Sequence, residues 1–278
     1  MNERGKKILT VQDLSCAGQC SLTVALPILS AFGLETCVLP TAILSEHTMF
    51  PHFTFLDLAQ NMRDTLASWK EDGHYFSAVL TGYLGRNEHF DIVKDVVMNL
   101  AKKDALIVVD PVFGDNGKLY PMFTEKYVNN VLSFVEIADV ILPNVTEACF
   151  LTGRRYTEIK TREEALPIIK KLAALGNFHV VLTGVEEAGK IGCAVYDRET
   201  KETNFYMTER LPGRFHGTGD MFASVFTGAY LAGENLFEAS KSAADFVASA
   251  IRVTDKEHNY GVQFEKILAE YAWNVLHK

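Results

Sequence analysis

The segment Gly217-Thr218-Gly219-Asp220 stands directly before an apolar run from Met221 to Leu231 that is long enough for a helix. Two glycines let the backbone turn tightly and present bare N–H groups. A helix start adds unpaired donors and a partial positive charge. Together they make a site for phosphate, or for charge that develops on a phosphoryl group in transfer. Asp220 falls in the first turn, where the helix dipole alone favours an acid by roughly 0.3–1 kcal/mol. The functional alternative is a general base that takes the proton of a substrate hydroxyl, a role typically worth about 10²–10⁴-fold in rate. A dinucleotide fingerprint needs G-x-G-x-x-G after the first strand, and a Walker loop needs G-x-x-x-x-G-K-[ST]; neither is present. A plain turn before a helix is the remaining competitor to an anion hole.

Oxygen ligands collect in two further segments, Asp110-Pro111-Val112-Phe113-Gly114-Asp115 and Pro143-Asn144-Val145-Thr146-Glu147. Asp110, Asp115, Asn144 and Glu147 are hard donors of the kind that suit Mg²⁺ bridging substrate phosphates. Helix capping and surface charge would place the same residue types there, and Thr146 has the chemistry of a cap. Asp13, Gly82-Tyr83-Leu84-Gly85 and Thr183-Gly184 each follow a predicted strand. His47 and His52 lack zinc-ligand spacing, and no H-E-x-x-H segment occurs. Cys16 and Cys20 read as loop or buried thiols, and His216 as a structural neighbour of the anion hole.

These residues need a scaffold that brings distant loops together. Short apolar runs predict buried strands at Lys7–Val11, Thr36–Thr41, Phe76–Thr81, Ala105–Asp110, Val140–Leu142 and His179–Thr183. Most are rich in Val, Ile and Leu without alternation, the mark of a parallel sheet covered on both faces. Helical spacing links Phe55, Leu58, Ala59, Met62, Leu66 and Trp69, and again Phe90, Val93, Val97 and Leu100. A third set comprises Ala165, Ile168, Ile169, Leu172 and Leu175. A hairpin is predicted from Ile191–Tyr196 and Thr203–Met207, followed by helices near 218–232, 238–253 and 262–275. The alternation implies a three-layer α/β/α fold with a mostly parallel central sheet. Ligands in such folds bind beyond the carboxyl ends of the strands, where all the segments above converge.

The 278 residues carry a net charge of −8, and 48% are hydrophobic. No linker or repeat divides them, so a single domain over 1–278 is expected. The acidic balance argues against a nucleic-acid partner, and no apolar run is long enough to cross a membrane. The piece Ile8–Val11 is too short for a signal-peptide core. Five cysteines without framework spacing fit a reducing, cytoplasmic setting.

In order, these pieces resemble the ribokinase-like superfamily of small-molecule kinases, above all its pyridoxal kinases. The likeness runs from Ile8 to about Phe264 and includes Ser45-Glu46-His47-Thr48. It implies ATP-dependent phosphorylation of the 5′-hydroxymethyl group of a B6 vitamer. It further implies Asp220 as catalytic base, with the Gly217, Thr218 and Gly219 amides lining the anion hole. Asp110 and Glu147 would serve the metal, and Asp115, Asn144, Thr183 and Thr218 the nucleotide. Thr48 and Tyr83 would hold the vitamer ring. ATP, Mg²⁺, an optional monovalent cation and a homodimer are implied, with Thr36 to His47 as the exposed sheet edge a partner would cover. One departure stands out: pyridoxal kinases usually have Ser where this chain has Asp13. The run Asp13-Leu14-Ser15-Cys16-Ala17-Gly18-Gln19 looks somewhat like the hydroxymethylpyrimidine kinases of the same superfamily. Asp13 is then either an acceptor for the ring's polar groups or a cap of the first helix. Hydroxymethylpyrimidine kinase activity, dual specificity, and a non-catalytic vitamer- or nucleotide-binding role are the alternatives.

Overall fold

The computed structural model describes residues 6–213, 215–258 and 260–276. A nine-stranded sheet forms its middle layer. In chain order the strands are β1 (Lys7–Ser15), β2 (Glu35–Leu44), β3 (Phe55–Asp57), β4 (Phe76–Thr81), β5 (Ala101–Val109), β8 (Val140–Ile141), β9 (His179–Glu187), β10 (Lys190–Tyr196) and β11 (Thr203–Glu209). A separate two-residue ribbon pairs β6 (Gly114–Asp115) with β7 (Lys118–Leu119). The spatial order is β11-β10-β9-β8-β5-β4-β1-β2-β3. The six strands predicted from apolar runs form the parallel centre, and antiparallel strands close both edges.

The helices are α1 (Leu22–Ala31), α2 (Ala59–Glu71), α3 (Asn87–Asn99), α4 (Glu125–Phe134), α5 (Val145–Leu151), α6 (Arg162–Ala173), α7 (Thr218–Leu231), α8 (Leu236–Val253) and α9 (Glu265–Leu276). Those from α2 to α6 cover one face, where Met62, Leu66, Phe90, Val93, Tyr127 and Ile168 meet Leu9, Val11, Val79 and Val180. On the other face, Val24, Ile28, Met221, Phe226 and Phe246 from α1, α7 and α8 meet Ile8, Ala78, Leu80 and Val181. Successive strand residues thus enter opposite cores, so the strands are apolar throughout.

Several expectations are corrected. β1 runs four residues past Val11, because it pairs with β2 up to Ser15↔Leu44 across a bulge at Gln12/Leu14. Asp13 therefore lies within the strand, not after it. Phe55 leaves the helical stripe: Phe55–Asp57 adds β3 to Ala42–Leu44, and α2 starts at Ala59. That added strand covers the far end of the edge expected to be open between Thr36 and His47. α1 was not legible as a separate helix, since its sequence LTVALPILSA is apolar almost all round.

Candidate active site

The chain leaves β1 toward β2 on one side and later returns as β4 on its other side. Such a reversal opens a crevice at the carboxyl ends of the strands. A cavity of about 650 Å³ occupies it. Its lining includes Asp13, Thr48, Tyr83, Asp110, Asp115, Asn144, Glu147, Thr183, Gly217, Thr218, Gly219 and Asp220, the residues given catalytic, substrate, nucleotide or metal roles above, but not Cys16, His52 or Thr146.

Gly217 caps α7 in the left-handed conformation, φ 76° and ψ 2°, and offers no side chain to the first amides of the helix. Only glycine fits there. A Cβ at 217 would stand 2.0 Å from the carbonyl oxygen of Gln19. The amides of the first turn are therefore left for an anion. A Cβ at 219, by contrast, would meet only Asp110 Oδ2, at 4.0 Å, so this turn faces the Asp110 carboxylate across open space.

Asp220 accepts a 2.8 Å hydrogen bond from the amide of Ser21. Burial, with the nearby charge of Asp13, pushes its pKa up to about 7. Asp110 is raised well above the ordinary carboxylate range by burial and by the charges of Glu147 and Asp220.

Asn144 and Glu147 form a capping box at the start of α5. The Asn144 side chain accepts from the Glu147 amide at 3.0 Å, and the Glu147 carboxylate accepts from the Asn144 amide at 2.9 Å. Thr146 is not the cap; its hydroxyl accepts from the Gly117 amide. Glu147 also accepts from the Phe113 amide at 3.0 Å, and Asn144 Nδ2 donates to the Gly114 carbonyl at 2.8 Å. These bonds pin the loop after β5 onto α5. They oppose burial only in part, and Glu147 rises to about 7. In that loop Val112 sits at φ 38°, a strained position for a β-branched residue and of the kind that clusters at functional sites. Asp115 is exposed and engaged with the Asn116 amide and side chain.

Among the described residues, no group of three or more His, Cys, Asp and Glu side chains has the arrangement of a protein-only metal centre. The buried carboxylates nevertheless fit a divalent cation that keeps waters and bridges phosphates. They are hard oxygens, mutually repelling, and among the described residues the charges that act on them are other carboxylates.

Asp13 caps no helix; Ser21 occupies the N-cap position of α1. The Asp13 carboxylate accepts from the hydroxyls of Ser21 at 2.5 Å and Ser15 at 2.9 Å. Tyr83 packs against Phe123 with ring centroids 5.5 Å apart, and burial with the charge of Asp13 lifts its phenol to about 12. His216 packs against His47 with ring centroids 4.4 Å apart and the planes tilted by 52°. Burial and that neighbour lower its pKa to about 4, so it presents a neutral ring beside the anion hole.

Sequence reasoning missed Ser21 and the apolar end of the cavity, which Ala244, Val247, Ala248 and Ile251 of α8 line with Ile191. The α8 residues carry ordinary helical spacing, so nothing in the sequence separates them from core. Ser21 is one hydroxyl in a polar loop, and only its partners reveal it.

The profile of the phosphomethylpyrimidine kinase family matches residues 27–266. A Bacteroides thetaiotaomicron protein solved with pyridoxal is 39% identical, with 96% of each chain covered and a TM-score of 0.91. The pyridoxal kinase of Lactobacillus plantarum is 32% identical over 98% of both chains, with a TM-score of 0.90. The pyridoxal kinase of Dictyostelium discoideum is 29% identical over 239 residues, 80% of this chain and 77% of its own length.

Proposed function

The chain belongs to the phosphomethylpyrimidine kinase family, and from that footing we propose that it transfers the γ-phosphoryl group of ATP to the 5′-hydroxymethyl group of a B6 vitamer. The carrying observation is one cavity that joins an uncapped helix start and a buried carboxylate to an aromatic, hydrogen-bonding end and an apolar end. Each part has a task. The slot of Val247, Ala248 and Ile251 takes the adenine by apolar contact. Asn144, Thr183, Thr218 and Asp115 line the triphosphate. Tyr83 stacks on the vitamer ring, and Thr48 and Asp13 bond its polar groups.

Asp220 takes the proton of the vitamer hydroxyl as its oxygen attacks the γ-phosphorus in line. One O–P bond forms, the bond to the β-phosphate oxygen breaks, and ADP leaves. The Gly217, Thr218 and Gly219 amides stabilise the equatorial oxygens, whose charge grows in the transition state. Asp110 and Glu147 would hold Mg²⁺, which would supply neutralisation of the phosphate charge; a monovalent cation follows from the family resemblance alone.

Glu147→Gln tests the metal assignment. The variant is expected to need about tenfold more Mg²⁺ for half-maximal rate, because one anionic ligand is lost. Glutamine keeps only one of the two oxygens that accept from the Phe113 and Asn144 amides, so Tm is measured alongside to separate ligand loss from loosening of the loop. An unchanged Mg²⁺ titration would take Glu147 out of the metal site.

The decisive experiment is a coupled ATP assay with pyridoxal, pyridoxamine, pyridoxine and hydroxymethylpyrimidine. Turnover of at least one vitamer above hydroxymethylpyrimidine is the expected result. Hydroxymethylpyrimidine is the second reading, favoured by Asp13 in place of the usual Ser and by the family's name. Vitamer-induced thermal stabilisation without ATP consumption would point instead to a binding protein. Among the described residues no helix is long and apolar enough to cross a membrane; we place the enzyme in the cytoplasm. A homodimer paired along the part of β2 that precedes Ala42, which β3 leaves uncovered, completes the proposal, and sedimentation measures it.

A further inference from the structure

Ser21 opens α1 at φ 50° and ψ −129°. That region favours glycine, and an L residue held there is strained. The residue is 6% exposed, and its side chain does not cap its own helix. Instead its hydroxyl donates to Asp13 Oδ1 at 2.5 Å, and its amide donates to Asp220 Oδ2 at 2.8 Å. The two acceptors are far apart in sequence, one near the end of β1 and the other in the first turn of α7. Glycine would supply the amide without strain but no hydroxyl, so the strain has one return: a second donor aimed at Asp13.

We propose that Ser21 is a positioning residue for phosphoryl transfer. It ties the carboxylate that faces the acceptor ring to the carboxylate that faces the acceptor hydroxyl, so that a molecule seated on Asp13 presents its hydroxymethyl group to an aligned Asp220. The inference rests on the roles assigned to Asp13 and Asp220 above, and it adds the residue that sets one against the other.

The surroundings support a device of this kind. Asp13 is 4% exposed and feels Asp220, Tyr83 and Cys20. Asp220 feels Asp13, Asp110, Cys20 and Tyr120. None of these neighbours is a cation. Two desolvated carboxylates would repel and reorient unless fixed donors held them. The hydroxyls of Ser21 and Ser15 favour the ionised form of Asp13 against its burial, and the Ser21 amide does the same for Asp220. Removing the Ser21 hydroxyl therefore raises the proton affinity of the pair.

The test is a double-mutant cycle of Ser21→Gly and Asp13→Asn, read with whichever alcohol the parent turns over. Ser21→Gly is expected to keep the parent's Tm and its KM for ATP. It should lower kcat/KM for the acceptor about tenfold, the effect of losing one hydrogen bond to a charged group. The acidic limb of its pH profile should move to higher pH. In the Asp13→Asn background the same change should cost nothing further. Ser21→Ala, which keeps Cβ and loses only the hydroxyl, should repeat the kinetic result if the glycine variant folds poorly. A parent-like pH profile and kcat/KM in these variants, or an equal loss with and without Asp13, would overturn the proposal. Turnover of hydroxymethylpyrimidine and no vitamer would instead sink the B6 reading and leave this cycle to be read on that acceptor.

Discussion

Asp220→Asn is expected to lower kcat by roughly two to four orders of magnitude, the usual worth of a positioned base, while ATP still binds. The substitution keeps the shape of the side chain and an oxygen to accept from the Ser21 amide, so the loss isolates proton acceptance from geometry. The pH dependence carries a second signature. Burial and the Asp13 charge set the Asp220 pKa at about 7, and the base works only when ionised. Parent kcat/KM should therefore rise through about pH 7 and fall below it, and the residual rate of the variant should lack that limb. Stability moves the opposite way. A carboxyl raised from 3.8 to about 7 by folding favours the fold in its protonated form. Its contribution is complete below pH 3.8 and is lost as pH rises through about 7. The variant should therefore melt above the parent at pH 8, with the gap closing on acidification. Calorimetry across that range, beside steady-state kinetics, checks both signs; near-parent turnover would remove Asp220 from the mechanism.

The second large effect separates the two glycines of the anion hole. Gly217→Ala should abolish measurable turnover and lower Tm, because its Cβ collides with the Gln19 carbonyl at 2.0 Å and its backbone stands at φ 76°. Either the turn or the loop before α1 must shift, and that loop carries Ser21. Gly219→Ala should keep the parent's Tm, since its Cβ meets nothing nearer than Asp110 Oδ2 at 4.0 Å. It should still lose about 10²-fold or more in kcat, because the methyl group stands in the space between the amides and Asp110 where the phosphoryl group must pass. Equal melting of the two variants, or full activity in the alanine variant at 219, would contradict this geometry.

The outcomes differ in scale because each residue answers to a different range of interaction. The parallel strands were legible because each needs apolar side chains on both faces, and that demand is written in consecutive residues. The anion hole was legible because Gly217, Thr218, Gly219 and Asp220 are neighbours in sequence as they are in space. Asn144 and Glu147 were found as hard oxygen donors after a predicted strand, yet the same residue types three apart also make a capping box, and the box is what they form. β3 was misassigned because a three-residue strand has too little pattern to oppose the helical spacing beside it, and its pairing with β2 is a tertiary matter.

What the sequence determined by itself was the layer order, the crossing strands and the chemical character of each loop at their ends. What only the tertiary structure decided was which groups face each other: Asp13 and Asp220 through Ser21, His47 against His216, α8 along the apolar slot. The physical reason is that backbone pattern and burial are local demands on a chain. The strain at residue 21 and the mutual repulsion of buried carboxylates exist only once segments some two hundred residues apart are packed together.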